Sequence, residues 1–435
     1  MKILYVSHYF PPEMGAPAGR VAGLAREWAR AGHEVHVLTG FPHHPTGIIP
    51  AEYRRAFRRG FLRERVDGYD VHRTWIFPAA NRGKFRRSLN YASFMTSATL
   101  SGALGMARPD IVVATSPQLL CAVAGHFLAK RFGTPLVMEV RDLWPESLVA
   151  VGASRHSSPL VTLLERLACQ MYRRASHVVT ITEAQRAAIV AEGVSGEQVS
   201  VIPNGVDAAF FDEAPARPAN GKFVVTYIGT LGMAHRLETL LEAAHLLRNE
   251  EGVEFRIVGE GARRQALEAR AQELKLTNVM FAGERPRGEV PRWLAESDAC
   301  AVLLRRTDVF RTVVPSKMLE IMAAGRPIIL GVEGEALALL ERAQAGIGVA
   351  PESAEQIVAA IRRLRKDAAL GTKLGENGRA FVRQEFRREA LAEKYLALLE
   401  QVKSEAANGK KSRSPKANIS IQEQRAEVVK PEAND

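Results

Sequence analysis

Cysteine is scarce in this chain. Cys121, Cys169 and Cys300 are its three thiols, and none stands in a C-x-x-C pair. That spacing leaves no thiolate metal site, and so few thiols suit a reducing compartment. No Asp-x-Asp pair occurs, and His43 and His44 are adjacent, so their side chains diverge and make a poor metal pair. A G-x-G-x-x-G fingerprint is missing as well. No stretch is long and apolar enough to cross a membrane, since the best candidate, residues 88–106, is interrupted by Asn90, Ser93, Thr96, Ser97, Thr99 and Ser101. The first apolar run, residues 2–7, is too short for a signal peptide and reads as a strand. Acidic residues are outnumbered, 48 against 59 lysines and arginines, and the formal net charge of +11 favours an anionic partner: nucleotide phosphate, anionic lipid or nucleic acid.

What is present is the composition of a soluble globular protein, 46% hydrophobic and 25% charged, over 435 residues, too long for one typical core. Runs of β-formers at residues 2–7, 34–38, 111–114, 135–140 and 177–181 are separated by helical spacing, as in Val21, Leu24, Ala25 and Trp28. That order predicts parallel βαβ units with right-handed crossovers. Val201-Ile-Pro-Asn-Gly-Val-Asp207 breaks the pattern with a proline and an Asn-Gly turn. A second set of strands follows at 223–228, 255–258, 279–281, 300–304 and 328–330. Two doubly wound, Rossmann-like α/β domains are expected, residues 1–205 and 206–377. Residues 378–403 have the spacing of one long amphipathic helix, and 404–435, poor in large apolar residues, should be disordered.

The region 53–106 is strongly basic, with Arg54, Arg55, Arg58, Arg59, Arg63, Arg65, Arg73, Arg82, Lys84, Arg86 and Arg87. A solvated face is the ordinary outcome of such a run. Tyr53, Phe57, Phe61, Leu62, Trp75 and Phe77 are interleaved with it, however, and an amphipathic helix candidate follows, which favours an anionic membrane surface. Nucleic-acid binding has the charge in its favour but no reader motif.

The densest signal is Thr312-Val-Val-Pro-Ser-Lys-Met-Leu-Glu-Ile-Met-Ala-Ala-Gly-Arg-Pro327. Pro315 presets a turn, Ser316 is placed to cap a helix, Gly325 to end it and Pro327 to stop it. Lys317 falls in the first turn, and Glu320 shares a face with Ser316. Free backbone N–H groups at a helix start attract phosphate, and a carboxylate just inside accepts hydrogen bonds from sugar hydroxyls. A capped helix with a solvated charge explains the stretch alone equally well.

Other segments accompany it in order: Tyr9-Phe-Pro-Pro-Glu-Met-Gly-Ala-Pro-Ala-Gly-Arg20, Gly32-His-Glu-Val-His-Val-Leu-Thr-Gly40, Arg141-Asp-Leu-Trp-Pro-Glu-Ser147, Ile202-Pro-Asn-Gly-Val-Asp207 and Gly259-Glu-Gly261. Together they make the chain resemble the retaining family 4 glycosyltransferases of the GT-B fold, in particular the polysaccharide-assembly group that includes colanic-acid and O-antigen L-fucosamine transferase types. The resemblance spans the chain before its tail. It implies two Rossmann-like domains facing a cleft, a C-terminal helix crossing back to the first domain, a nucleotide sugar held by the second domain and an acceptor held by the first. It also implies no metal and no other cofactor.

Residue by residue, the resemblance places Glu320 at the second Glu of the Glu-x7-Glu motif, against the donor ribose. The first Glu is replaced by Thr312, so Val313, Val314, Pro315 and Ser316 are expected to address the sugar, and the apolar pair suits a deoxy sugar. In the loop Gly229-Thr-Leu-Gly-Met-Ala-His-Arg236, Thr230 stands at the usual Arg position and His235 at the usual Lys position. Leaving-group charge must still be met, and Lys317 and Arg236 are the first candidates. Gly15 and Arg20 are expected near the donor phosphates, Glu260 and Glu284 at the donor, and Asp142 at the acceptor hydroxyl, with a helix N-cap as its plain alternative. The expected activity is transfer of a sugar, such as an N-acetylated deoxyhexose, from a UDP- or GDP-linked donor to a polyprenyl-diphosphate-linked saccharide, by a cytoplasmic enzyme on the inner face of the cell membrane. A sugar-nucleotide 2-epimerase of the same fold and a basic nucleic-acid-binding α/β protein are the competing readings.

Overall fold

The computed structural model describes residues 1–13, 15–80, 84–102, 104–116, 118–143, 159–212 and 221–408. Two sheets dominate it. In the first, strands β1 (Lys2–Val6), β2 (Glu34–Gly40), β3 (Phe61–Val66), β4 (Tyr69–Thr74), β5 (Ile111–Thr115), β6 (Leu136–Val140), β7 (His177–Thr180) and β8 (Val199–Val201) run in the order β3-β4-β2-β1-β5-β6-β7-β8. The second holds β9 (Phe223–Ile228), β10 (Val253–Val258), β11 (Val279–Gly283), β12 (Ala299–Leu303), β13 (Ile328–Gly331) and β14 (Gly346–Gly348) in the order β11-β10-β9-β12-β13-β14. Central strands such as β5 and β6 are buried residue by residue, as parallel strands covered by helices on both faces must be. Each sheet has its own cores, one with Leu4, Val112 and Met138 on one face and Ile3, Tyr5 and Val113 on the other, the second with Val302 and Leu330 against Tyr227 and Phe255.

Three elements differ from the sequence expectation. The basic region contains the antiparallel hairpin β3–β4, closed by Asp67 and Gly68, both at positive φ (48° and 89°), the backbone of a two-residue turn that follows strand twist. Its Arg73 is not a surface cation: it is 2% exposed, donates to Glu64 Oε1 at 2.6 Å and to the Pro11 carbonyl at 2.6 Å, and lies over the Phe10 and Tyr53 rings. The expected single C-terminal helix is two helices, Ala368–Glu385 and Arg388–Ala407. Amphipathic spacing continues across the break, but Val206 pairs with Arg387 there, its N–H donating to the Phe386 carbonyl at 2.8 Å and its carbonyl accepting from Arg388 N at 3.1 Å. Residues 404–407, expected in a disordered tail, are the last turn of that second helix with Asn408 as its C-cap, and the rest of the tail, 409–435, lies outside the described residues.

The second helix lies on the first domain, against helix Ala16–Arg30. Trp28 Nε1 donates to the Ala392 carbonyl at 3.2 Å, and the Trp28 ring meets Tyr395 edge-on at 5.3 Å. Residues of the helix, Leu391, Tyr395 and Leu399 among them, complete a core with Tyr5 and Trp28.

Candidate active site

The carboxyl ends of the second sheet's strands build a nested pair of glycine loops. Gly229, at φ 135°, follows β9, and its N–H donates to the Val258 carbonyl at 2.9 Å. Leu231 N–H donates to the Glu260 carbonyl at 2.8 Å, and Arg263 N–H returns to the Leu231 carbonyl at 2.9 Å. Any Cβ at Gly259 or Gly261 collides with the backbone of Gly229 or Leu231, so the Gly-Glu-Gly motif is explained by this close approach. Only the backbone of Glu260 takes part in this nesting; its carboxylate pairs with Arg264.

Helix Ser316–Ala323 starts beside these loops. Pro315 occupies its N-cap position and makes no side-chain capping bond, so Ser316 is the first helical residue rather than the cap. Lys317 projects over the Gly229 loop. Its Nζ donates to Tyr227 Oη at 2.8 Å and stands 4.0 Å from the centroid of the same ring. Among the described residues, Lys317 forms no ion pair. Burial pulls its pKa down to about 7, although the charge of Glu320 opposes the fall. His235 packs edge-on to Tyr227 at 5.9 Å, and its Nδ1 lies 3.3 Å from the Leu303 carbonyl. Burial first, then the Lys317 charge, lower its pKa to about 3, so His235 is neutral in the ligand-free protein.

Glu320 accepts from Arg287 Nη2 at 2.6 Å. Arg287 reaches Asp207 Oδ2 at 3.7 Å and lies over the Phe210 ring, linking the helix to the segment between the domains. Arg287 escaped the sequence reading because it sits in an irregular turn between β11 and helix Val290–Ala295, with no motif around it. Arg236, at φ 44°, faces Glu352 at 3.6 Å and lines a small pocket with Met233, Arg263 and Arg305. Thr230 and Glu284 are exposed. Thr312 Oγ1 turns back to the Val309 carbonyl at 2.8 Å, and its own carbonyl accepts from Thr182 Oγ1 of the first domain at 2.9 Å. Val314 lines an interdomain cavity of about 480 Å³ with Thr182, Asn204, Leu319, Glu335 and Lys394.

On the first domain, Gly15 is the exposed N-cap of helix Ala16–Arg30 at φ 147°. Arg20, expected at the donor phosphates, is spent elsewhere. It is 3% exposed, pairs with Glu139 at 3.0 Å, and donates to the Ile202 and Pro203 carbonyls at 2.9 and 2.6 Å. Its Nε, Nη1 and Nη2 are all engaged in these bonds, so Arg20 ties helix, sheet and interdomain segment together instead of facing a ligand. Asp142 follows β6 at the cleft end of the sheet; burial raises its pKa, opposed by Arg141. The segment that would test its capping role, residues 144–158, including the secondary candidate Glu146, lies outside the described residues. Arg141 is a residue the sequence reading passed over in favour of its neighbour. It is 4% exposed, and its Nε and Nη1 have no hydrogen-bond partner among the described residues.

Two facing parallel-sheet domains, with glycine loops and a cation-bearing helix at the strand ends of the second and a C-terminal helix returning to the first, define the GT-B class. Residues 15–205 match the model of the glycosyl transferase 4-like domain and residues 210–381 that of the glycosyl transferases group 1, so the chain belongs to the glycosyltransferases. It is 28% identical over 383 residues, 83% of this chain and 92% of the relative, to WcaI of Escherichia coli K12, a glycosyl transferase named for colanic acid biosynthesis. Among solved structures it is similar to the sucrose-phosphate synthase of Thermosynechococcus elongatus (TM-score 0.72, 20% identity, 93% and 99% of the two chains) and to Anabaena HepE in complex with UDP-glucose (TM-score 0.66, 19% identity, 92% and 100%).

Proposed function

We propose that the protein transfers a sugar, with retention, from a UDP- or GDP-linked donor to a polyprenyl-diphosphate-linked saccharide during assembly of a cell-surface polysaccharide. The observation that carries this reading is Lys317: a half-buried cation without a carboxylate partner among the described residues, set over a glycine loop and one helical turn from Glu320. A partly desolvated charge with no counter-charge is costly, and an anion that enters relieves it. In the reaction the donor C1–O bond to the diphosphate breaks and a C1–O bond to the acceptor forms. Negative charge collects on the departing diphosphate, where Lys317 and Arg236 stabilise it. Asp142 is the base for the acceptor hydroxyl proton, its raised pKa suiting that exchange. Glu320 grips the ribose hydroxyls. The bound UDP-glucose of HepE and the polysaccharide assignment of WcaI support the substrate class. No metal is needed in this reading, because the sequence lacks an Asp-x-Asp carrier and supplies cations of its own. The enzyme acts on the cytoplasmic face of the cell membrane.

UDP or GDP should raise the melting temperature of the purified protein; if neither binds at millimolar concentration, the donor reading is lost. Glu320→Ala should abolish transfer to a lipid-linked acceptor while leaving the melting temperature within a few degrees of wild type. EDTA should leave the wild-type rate unchanged.

A further inference from the structure

Tyr227 belongs to none of the motifs, yet it touches several of the donor-side residues. It sits at the end of β9, fully buried. Its Oη donates to the Thr230 carbonyl at 2.8 Å and accepts from Lys317 Nζ at 2.8 Å, while its ring carries the ammonium at 4.0 Å and meets His235 edge-on. Gly229 completes the arrangement, since a Cβ there would lie 2.6 Å from Nζ. One phenol thus uses both hydrogen-bonding roles and its π-face to fix a flexible lysine between a glycine loop and a helix start.

We propose that Tyr227 is the positioning residue of the donor diphosphate site: it holds the Lys317 ammonium over the Gly229 loop and locks that loop through the Thr230 carbonyl. The proposal rests on the donor-site reading above. A lysine stem has several freely rotating bonds, and fixing its head before the ligand arrives lowers the ordering cost of binding. The face of an aromatic ring attracts an ammonium without bringing a counter-charge of its own, so the protonated lysine is left to pair with a phosphate oxygen. A carboxylate in the same place would hold the lysine equally well and cancel that charge. Tyr227 contacts no substrate in this role.

The test is binding of a UDP- or GDP-sugar to the full chain, measured by calorimetry from pH 6 to 9, for wild type, Tyr227→Phe, Lys317→Met and the double variant. The diphosphate bridge of a nucleotide sugar does not titrate in this range, and the base N–H begins to ionise only at its upper end. Lys317 titrates near 7 in the free protein, so wild-type binding above that pH takes up a proton and weakens as pH rises. Tyr227→Phe keeps the ring and removes the hydroxyl. Loss of one hydrogen bond to a charged group predicts donor affinity about tenfold weaker, and an altered pH profile. In the Lys317→Met background, the pH dependence should vanish and Tyr227→Phe should add little. Wild-type affinity and an unchanged profile in Tyr227→Phe, or an equal loss in the Lys317→Met background, overturns the role of Tyr227 while leaving the donor reading intact. Failure of the wild type to bind any sugar nucleotide overturns both. Should Tyr227→Phe fold poorly, NMR of wild-type protein carrying ¹³C-lysine decides. The Lys317 resonance, identified by its loss in Lys317→Met, must show an upfield ring-current shift and respond to the nucleotide. A resonance at ordinary lysine positions that ignores the nucleotide overturns the proposal.

Discussion

Glu139, 0% exposed at the centre of the first sheet, accepts from Tyr5 Oη, Thr115 Oγ1 and Arg20 Nε, at 2.9, 2.9 and 3.0 Å. Burial works against its charge, but Arg20 and Arg141 overcome that and hold its carboxyl below the usual range. Glu139→Leu should therefore destabilise the first domain by about 3–5 kcal/mol, because the Arg20 guanidinium is left buried and unpaired. Arg20→Met combined with Glu139→Leu should recover most of the loss in urea denaturation. The sign of the pH effect follows from the depressed pKa: the pair's stabilisation is complete above the ordinary glutamate value and disappears as pH falls through the lower, folded value. Arg20 also shows where residue-level reading stops. Its place in a glycine-bearing motif at a helix start suggested a phosphate, and its buried acid partner lies 119 positions away. Lys317 and Glu320 were legible because one short helix carries both, whereas Tyr227 and Arg287 reach them only through tertiary packing.

At the level of elements, the parallel strands were readable because each is a compact apolar run between helical repeats; β9 spans the residues its sequence pattern indicates. The hairpin β3–β4 carried its own signal, Asp-Gly between alternating residues, which the density of arginine obscured. The split between helices Ala368–Glu385 and Arg388–Ala407 had none, because apolar spacing continues through Phe386 and the break comes from pairing with Val206. That second helix is a component of the first domain's core. Tyr395→Ala removes a fully buried ring that packs on Trp28 and should cost about 3–5 kcal/mol. Thermal unfolding of the variant should show the first domain melting earlier and the second unmoved. A shift confined to the second domain contradicts this assignment.

On the scale of the whole molecule, the surface around residues 48–104 combines exposed apolar side chains (Ile48, Phe85, Leu100 and Leu104, all more than half exposed) with the exposed arginines Arg55, Arg58, Arg59 and Arg63. No helix of the described residues is long and apolar enough to cross a membrane. Under the proposed function this face meets anionic lipid, and the protein should sediment with anionic vesicles, less so at high salt. Replacing Phe85, Leu100 and Leu104 by Ser should lower the partition coefficient about tenfold or more; an undiminished coefficient removes the lipid from this face. The chain's charge suggested an anionic partner, but that these apolar side chains stay exposed beside arginines required the fold.

The chain passes between the domains twice, and the two crossings are stitched to each other: Val206 to Phe386 and Arg388 by backbone bonds, with Asp207 gripped by Arg26 at 3.1 Å and Arg388 at 2.5 Å. Two pins on one line make a door. Because Val206 and Arg388 exchange bonds directly, neither crossing can shift along the other without breaking both backbone bonds and the grip on Asp207. The register of the two sheets is thus fixed at the jamb, by bonds within the chain itself.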